Sequence, residues 1–99
     1  MPLLSVTEVQ QRLIHLPGWT LSPGGEIVRE ASFQDFIAAI TFVNQVAARA
    51  EDLGHHPDID IRYNKVRLAL TSHDAGGLTE KDFEMAGGIE GILASGGKA

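Results

Sequence analysis

Apolar residues at the start of the chain recur at the spacing of a helix face. The first such stripe comprises Val6, Val9 and Leu13. Ser5 and Glu8, three positions apart at its start, form a capping box, which satisfies free backbone N–H groups at a helix N-terminus. The pattern therefore predicts a helix through about His15, ended by Pro17-Gly18.

Alternation with a period of two predicts strands in two places. Residues 19–22 and 26–31 are short strand candidates on either side of the turn Pro23-Gly24-Gly25. Further on, a hairpin with its turn at Asn64-Lys65 is predicted. Its apolar positions are Ile59, Ile61 and Tyr63 on one strand and Val66, Leu68 and Leu70 on the other. Each hairpin strand thus has one apolar and one more polar face.

Helical spacing returns in two further segments. The longer is predicted to begin at Ser32 as N-cap, with Asp35 at N3, and to end at Gly54. Its apolar stripe comprises Phe36, Ile40, Val43 and Ala47. The last helix is predicted to begin at Thr79, with Asp82 three positions later, and its stripe comprises Phe83, Ala86, Ile89 and Leu93. The tail, residues 95–99, is expected to fray.

The element order αββαββα contains hairpins and no βαβ alternation of long parallel strands. This favours an α+β fold, in which an antiparallel sheet has its helices packed on one face. With 99 residues, 43% of them hydrophobic and 21% charged, the chain is predicted to form a single domain, residues 1–99, around one core.

Composition narrows the possible functions by exclusion. The absence of cysteine excludes disulfide frameworks, thiolate zinc sites and cysteine nucleophiles. A net charge of −5 has the wrong sign for a protein that holds nucleic acid electrostatically. The least polar stretch, residues 36–50, is shorter than the roughly 20 residues that a membrane span needs. We therefore expect no nucleic-acid partner, no membrane insertion and a cytoplasmic location.

Three of the four histidines are predicted to converge. His55 and His56 follow the long helix, and His73 ends the second hairpin strand. A turn at Asn64-Lys65 places His56 directly opposite His73, and directly opposed residues have Cα atoms about 4.5–5.5 Å apart. Pro57 favours an extended conformation at His56. Two imidazoles could then face one small ligand.

Several interpretations of these histidines are open from residue types alone. They could be unrelated surface and helix-end residues, or a metal site completed by Glu51 or Asp74, although adjacent His55 and His56 point differently. Ser72, His73 and Asp74 are consecutive, so they cannot line up as a nucleophilic triad. General acid–base catalysis without a covalent intermediate remains, because imidazole has an unperturbed pKa of about 6.5.

Four motifs resemble those of the pterin-4a-carbinolamine dehydratase family. They are Glu51-Asp52-Leu53-Gly54-His55-His56-Pro57, Tyr63-Asn64-Lys65-Val66, Thr71-Ser72-His73-Asp74 and Gly77-Leu78-Thr79-Glu80-Lys81-Asp82. The resemblance extends from about residue 16 to residue 89. It implies a four-stranded antiparallel sheet with helices on one side, and a dimer or tetramer.

The resemblance also implies an activity. Members of the family dehydrate 4a-hydroxytetrahydrobiopterin, the carbinolamine left by aromatic amino acid hydroxylases, to quinonoid 6,7-dihydropterin and water. The reaction recycles tetrahydrobiopterin and needs neither a metal nor another cofactor. A pterin is then the expected substrate, and an aromatic amino acid hydroxylase is the candidate protein partner. The alternative is a non-catalytic pterin-binding or protein-dimerisation module that partners a hydroxylase or a regulator.

Transferred to this chain, the family's site residues fall on the converging histidines. His55 and His73 are the expected acid–base pair, and His56, also assigned to the catalytic set, mainly holds the substrate. The residues expected to contact the pterin edge are Gly54, Thr71, Ser72 and Asp74. Asp82 is expected either to contact the ligand or a histidine, or to serve only as a first-turn carboxylate.

Two positions beside these residues bear on the same site. Glu51 could orient an imidazole or be a solvated helix-end charge. Ile59 stands where the family commonly has a tryptophan, so an aromatic wall of the pterin site is expected to be missing.

Overall fold

Three helices and four strands follow one another in the predicted order. The structure, a computed structural model, describes residues 2–96. The elements are α1 (Val6–Ile14), β1 (Trp19–Leu21), β2 (Ile27–Ser32), α2 (Phe36–Leu53), β3 (Asp58–Arg62), β4 (Lys65–Leu70) and α3 (Glu80–Ala94), with a 3-10 turn at His73–Ala75 before α3. Residues 97–99 of the predicted fraying tail lie outside the described residues.

The strands form one antiparallel sheet in the order β1-β2-β4-β3. Strands β2 and β4 pair over six positions at its centre, from Ile27 opposite Leu70 to Ser32 opposite Lys65. Both hairpins therefore belong to a single sheet, with β1 and β3 at its edges. The predicted α+β class with a four-stranded antiparallel sheet is confirmed.

The core lies between one face of the sheet and the helices. Its strand residues are Trp19, Ile27, Val66, Leu68 and Leu70, and its helix residues are Val9, Ala39, Phe42, Val46, Ala50, Phe83, Met85, Ala86 and Ile89. Alternate strand positions turn away from this cluster. The helices thus cover one face, as predicted. No helix among residues 2–96 combines the length and the apolarity required to cross a bilayer.

Local capping signals in the sequence are confirmed at three helix ends. Ser5 and Glu8 form the capping box of α1, and Thr79 and Asp82 form that of α3. Gly54 ends α2 in the left-handed conformation at φ +65°, where its N–H bonds to carbonyls of the last turn. The two capping boxes are set by side chains three residues from the backbone groups that they satisfy, and the end of α2 is set by the backbone of Gly54.

The start of α2 differs from the prediction, which placed the N-cap at Ser32. Ser32 is the last residue of β2 and pairs with Lys65, so the sheet ladder holds it in the strand. The N-cap is Asp35, whose carboxylate accepts a hydrogen bond from the N–H of Ala38 at 2.8 Å.

The buried face of α2 also differs from the predicted stripe. The buried positions are Ala39, Phe42, Val46 and Ala50, whereas Phe36 and Ala47 are exposed and Ile40 and Val43 are partly buried. Apolar residues lie on more than one side of this helix, so periodicity alone allowed two stripes. The observed one brings Phe42 against Phe33, with ring centroids 4.9 Å apart.

The predicted hairpin register is wrong by two residues. The predicted turn at Asn64-Lys65 would pair Ile59 with Leu70 and Arg62 with Arg67. The turn is instead Tyr63-Asn64, with Tyr63 at φ +55°, and it pairs Ile59 with Leu68. Arg67 consequently lies opposite Asp60 and not opposite Arg62. A shift of two keeps every side chain on its predicted face, because successive side chains alternate between faces.

Candidate active site

A cavity of about 580 Å³ opens where the end of α2 meets the segment that follows β4. Its lining residues are Gly54, His55, His56, Thr71, Ser72, His73, Asp74, Ala75 and Lys81. The cavity brings together all three predicted histidines. His56 and His73 share it although the observed register, continued past the strands, sets His56 level with Thr71 rather than with His73.

His55 is held from behind by a buried carboxylate. Its Nε2 lies 2.6 Å from Oδ1 of Asp82, whose side chain is 0% exposed, while 16% of the His55 side chain is exposed. A carboxylate accepts hydrogen bonds, so Nε2 carries the proton in this contact. Nδ1 is then the ring nitrogen of His55 that can exchange a proton with a ligand.

The second oxygen of Asp82 accepts two hydrogen bonds, one from the segment that follows β4 and one from the N-cap of α3. Oδ2 accepts a hydrogen bond from Ser72 Oγ at 2.8 Å and one from the N–H of Thr79 at 2.9 Å. The hydroxyls of Ser72 and Thr79 are also 2.8 Å apart. This buried network fixes the orientation of the carboxylate, so that Oδ1 alone faces His55.

His56 has an acidic partner of a different kind. Its Nε2 lies 2.5 Å from Oε2 of Glu51, one helical turn earlier on α2, and both side chains are exposed. Glu51 therefore contacts an imidazole, that of His56. Because the pair is open to solvent, it holds the ring far less rigidly than Asp82 holds His55.

His73 reaches the cavity from the segment that follows β4. Its position is set by the turn His73–Ala75, which closes on itself through hydrogen bonds from Ala75 and Gly76 to the Ser72 carbonyl. A bridge between Ser72 and Gly77 joins the two ends of this turn to each other. The His73 side chain is exposed and makes no hydrogen bond with any side chain of residues 2–96.

Sequence reasoning missed Lys81 and Ala75 as lining residues. Lys81 lines the cavity, and its Nζ donates a hydrogen bond to the carbonyl oxygen of Leu53 at 2.7 Å. A signal was available, since a basic residue in the first turn of a helix opposes the helix dipole. Asp82 lies behind the cavity wall rather than in it, and Ile59 does not line the cavity.

The histidines do not form a cluster of the kind that binds a metal. Within residues 2–96 no group of three or more His, Asp or Glu side chains is arranged to hold an ion. Two carboxylates instead contact one imidazole each, Asp82 with His55 and Glu51 with His56.

Comparison with known proteins gives matches over nearly the whole chain. A family model described as Pterin 4 alpha carbinolamine dehydratase matches residues 2–92. A protein of Acidobacterium capsulatum is 57% identical over 93 residues, which are 94% of this chain and 100% of that protein. One from Chloroflexus aurantiacus is 58% identical over 93 residues, 94% of this chain and 99% of that protein. Both are named, provisionally, as pterin-4-alpha-carbinolamine dehydratases.

Solved structures agree with these matches. A protein from Brucella melitensis described as a transcriptional coactivator/pterin dehydratase has a TM-score of 0.88 and 37% identity, covering 92% of this chain and 98% of its own. A pterin dehydratase-like protein described as a RuBisCO assembly factor has a TM-score of 0.65 at 20% identity, covering 79% and 92%, and shows a shared fold alone. The resemblance found in the sequence motifs is confirmed, and the chain belongs to the pterin-4a-carbinolamine dehydratase family.

Proposed function

We propose that the protein dehydrates a pterin 4a-carbinolamine, releasing water and a quinonoid dihydropterin. The observation that carries the proposal is the pairing of His55 with the buried Asp82 at the wall of a cavity that two further histidines line. Family membership supports a pterin as the substrate class.

The reaction requires two proton transfers on neighbouring atoms. A proton is delivered to the 4a-hydroxyl oxygen, the C–O bond breaks, and water leaves. The ring nitrogen beside C4a loses its proton, and its electron pair completes the new C=N bond. Each positioned acid or base is typically worth about 10²–10⁴ in rate.

His55 and His73 are suited to these two transfers. The contact with Asp82 fixes the proton of His55 on Nε2, so its Nδ1 lone pair can accept the proton from the ring nitrogen. His73, which lines the same cavity and is open to solvent, delivers the proton to the departing hydroxyl and is reprotonated by water. His56, exposed and only loosely held by Glu51, mainly contacts the substrate.

The polar edge of the pterin meets the remaining lining groups in this proposal. Thr71 and Asp74 present side chains at the cavity, and Gly54 presents backbone. Ser72 lines the cavity as well, but its hydroxyl already bonds to Asp82 and Thr79. Its side chain therefore contributes by holding Asp82, and its backbone N–H and carbonyl are already bonded within the turn that follows it.

The decisive experiment generates a 4a-carbinolamine in place and follows its decay spectroscopically. We expect the protein to accelerate decay over buffer, and exhaustive chelation to leave the acceleration unchanged. His15→Ala, which removes an exposed histidine at the far end of α1, is the matched control for His55→Ala. A rate equal to that of buffer alone, from folded protein, would contradict the proposal.

A second candidate function is a non-catalytic module that binds a protein partner. The Brucella melitensis relative is described as a coactivator as well as a dehydratase. Here, Phe36 and Ile37 expose 49% and 76% of their surface side by side at the start of α2. The same decay assay separates the two functions, because a module of this kind leaves the decay rate unchanged. An aromatic amino acid hydroxylase, which produces the carbinolamine, is the partner that fits either function.

A further inference from the structure

The C-terminal end of α2 lacks the charge that would stabilise it. Its last turn contains Glu51 and Asp52 and no basic residue. The carbonyl end of a helix carries partial negative charge, so carboxylates there are unfavourable and cations are favourable. The Gly54 and His55 N–H groups satisfy the carbonyls of Ala50 and Glu51. The carbonyl of Leu53 is left to a side chain from elsewhere.

Lys81 supplies that missing cation from another helix. Its Nζ donates to the Leu53 carbonyl at 2.7 Å and is partly buried. Lys81 itself lies in the first turn of α3, where the dipole of its own helix disfavours a cation. Its charge is therefore misplaced for α3 and well placed for α2, so its position is explained by the contact between the two helix ends.

This contact lies directly beside the imidazole–carboxylate pair. Leu53 precedes His55 by two residues, and Lys81 immediately precedes Asp82. The 2.7 Å link from Lys81 to Leu53 and the 2.6 Å contact between His55 and Asp82 thus join the same two helix ends in parallel. Between Leu53 and His55 lies Gly54 at φ +65°, a residue with few steric restraints.

We infer that Lys81 is a positioning residue, which aligns His55 with Asp82 by holding the end of α2 against the start of α3. The inference rests on the proposed function for its kinetic readout. Without the ammonium, the Gly54 corner can shift while α2 and α3 stay folded. Displacement of a catalytic group slows the reaction even when the surrounding structure is unchanged.

The test compares three single substitutions. Lys81→Met removes the ammonium and keeps most of the apolar stem, and Lys81→Arg keeps a cation that can reach the Leu53 carbonyl. Glu80→Gln, one residue earlier in the same turn, breaks a surface ion pair with Arg12 and leaves the Lys81 contact in place. If Lys81→Met folds poorly, Lys81→Gln is used in its place.

We expect Lys81→Met to lower kcat about tenfold with KM changed by less than about twofold, as for a misaligned catalytic group. Lys81→Arg should recover most of kcat, and Glu80→Gln should retain it. A wild-type kcat in Lys81→Met would overturn the inference. An equal loss of kcat in Glu80→Gln would also overturn it, because any weakening of the first turn of α3 would then be sufficient to lower kcat.

A second readout keeps the inference testable if the wild-type protein has no dehydratase activity. The ring N–H proton of His55 that is shared with Asp82 should give a distinct NMR resonance. We expect Lys81→Met to shift or broaden that resonance, and Glu80→Gln to leave it in place. An unchanged resonance in Lys81→Met would contradict the inference, whereas absent turnover alone would contradict only the proposed function.

Discussion

His55 and Asp82 are 27 positions apart in the sequence, and Nε2 of the imidazole lies 2.6 Å from Oδ1 of the carboxylate. One residue follows the left-handed end of α2, and the other completes the capping box of α3. The pair therefore forms only when these two helix ends meet. It places a partly exposed imidazole over a fully buried carboxylate, which fixes the ring's tautomer and orientation.

Asp82→Asn tests this relationship. The amide cannot accept hydrogen bonds at both positions as the carboxylate does, so the His55 ring loses its fixed tautomer. We expect kcat to fall at least about tenfold, as when an orienting carboxylate is lost from a catalytic histidine. The buried network should also lose about 1–3 kcal/mol of stability, measured by denaturant unfolding. Glu84→Gln, exposed on the same helix, is the control and should change neither quantity.

His55→Ala and His73→Ala test the assignment of the two proton transfers. Each should lower kcat at least about tenfold, because a positioned acid or base typically accelerates a reaction by a factor of about 10²–10⁴. The double substitution should cost less than the product of the single effects if the two imidazoles can replace one another. The measurement is steady-state decay of the carbinolamine, with His15→Ala as the control. Full activity in both single variants would refute the assignment.

His56→Ala should affect binding more than turnover. The ring is exposed and contacts Glu51 on the solvent side, so we assign it to holding substrate in both ground and transition states. KM should therefore rise by a larger factor than kcat falls. A loss confined to kcat would instead place His56 among the groups that transfer protons.

The pair of Arg12 and Glu80 predicts a pH-dependent contribution to stability. The hydrogen bond from Arg12 lowers the pKa of Glu80, and the same bond raises the pKa of Arg12. A carboxyl group whose pKa is lowered by folding stabilises the fold when ionised, and that contribution is lost as the pH falls through its folded-state pKa. The Tm of the wild-type protein should thus be higher than that of Glu80→Gln at neutral pH, and this difference in Tm should disappear in acid. Because the pair is exposed, high salt should also reduce it.

The edge strand β3 predicts self-association. Within residues 2–96 it pairs only with β4, so its other side presents backbone groups of the kind that pair with a second chain. We expect a dimer or a tetramer by multi-angle light scattering at micromolar concentration. A mass near that of the 10.6 kDa chain would contradict this prediction. If an oligomer is found, proline substitution at a residue of β3 whose N–H points away from β4 tests whether this edge forms the contact.

Much of this fold was predictable because its signals are local. The hydroxyl and carboxylate of a capping box are three residues apart, so Thr79 and Asp82 identified the start of α3 correctly. Gly54 likewise ended α2 where its left-handed conformation was needed. The resemblance of short motifs then placed three histidines in one site, and the structure does bring them to one cavity.

The errors arose where a distant partner decides the structure. Ser32 is held in the sheet by its pairing with β4, so Asp35 is the N-cap of α2. Nothing near Ser32 in the sequence indicates this pairing. Tyr63 adopts a positive φ in the turn, which is uncommon for a bulky residue. The turn lies one residue earlier than predicted, and the strand register differs accordingly. The cation at Lys81 is a local signal in the first turn of α3, but its partner Leu53 is 28 positions away and cannot be identified from that turn.

The dual use of Asp82 makes the integrity of the site observable without any substrate. Its Oδ2 accepts the N–H of Thr79, and its Oδ1 meets His55. If the first turn of α3 frays, the imidazole loses its support and the Thr79 amide is released to solvent in the same event. Amide hydrogen exchange at Thr79 therefore reports how often the first turn of α3 opens and withdraws the carboxylate from His55.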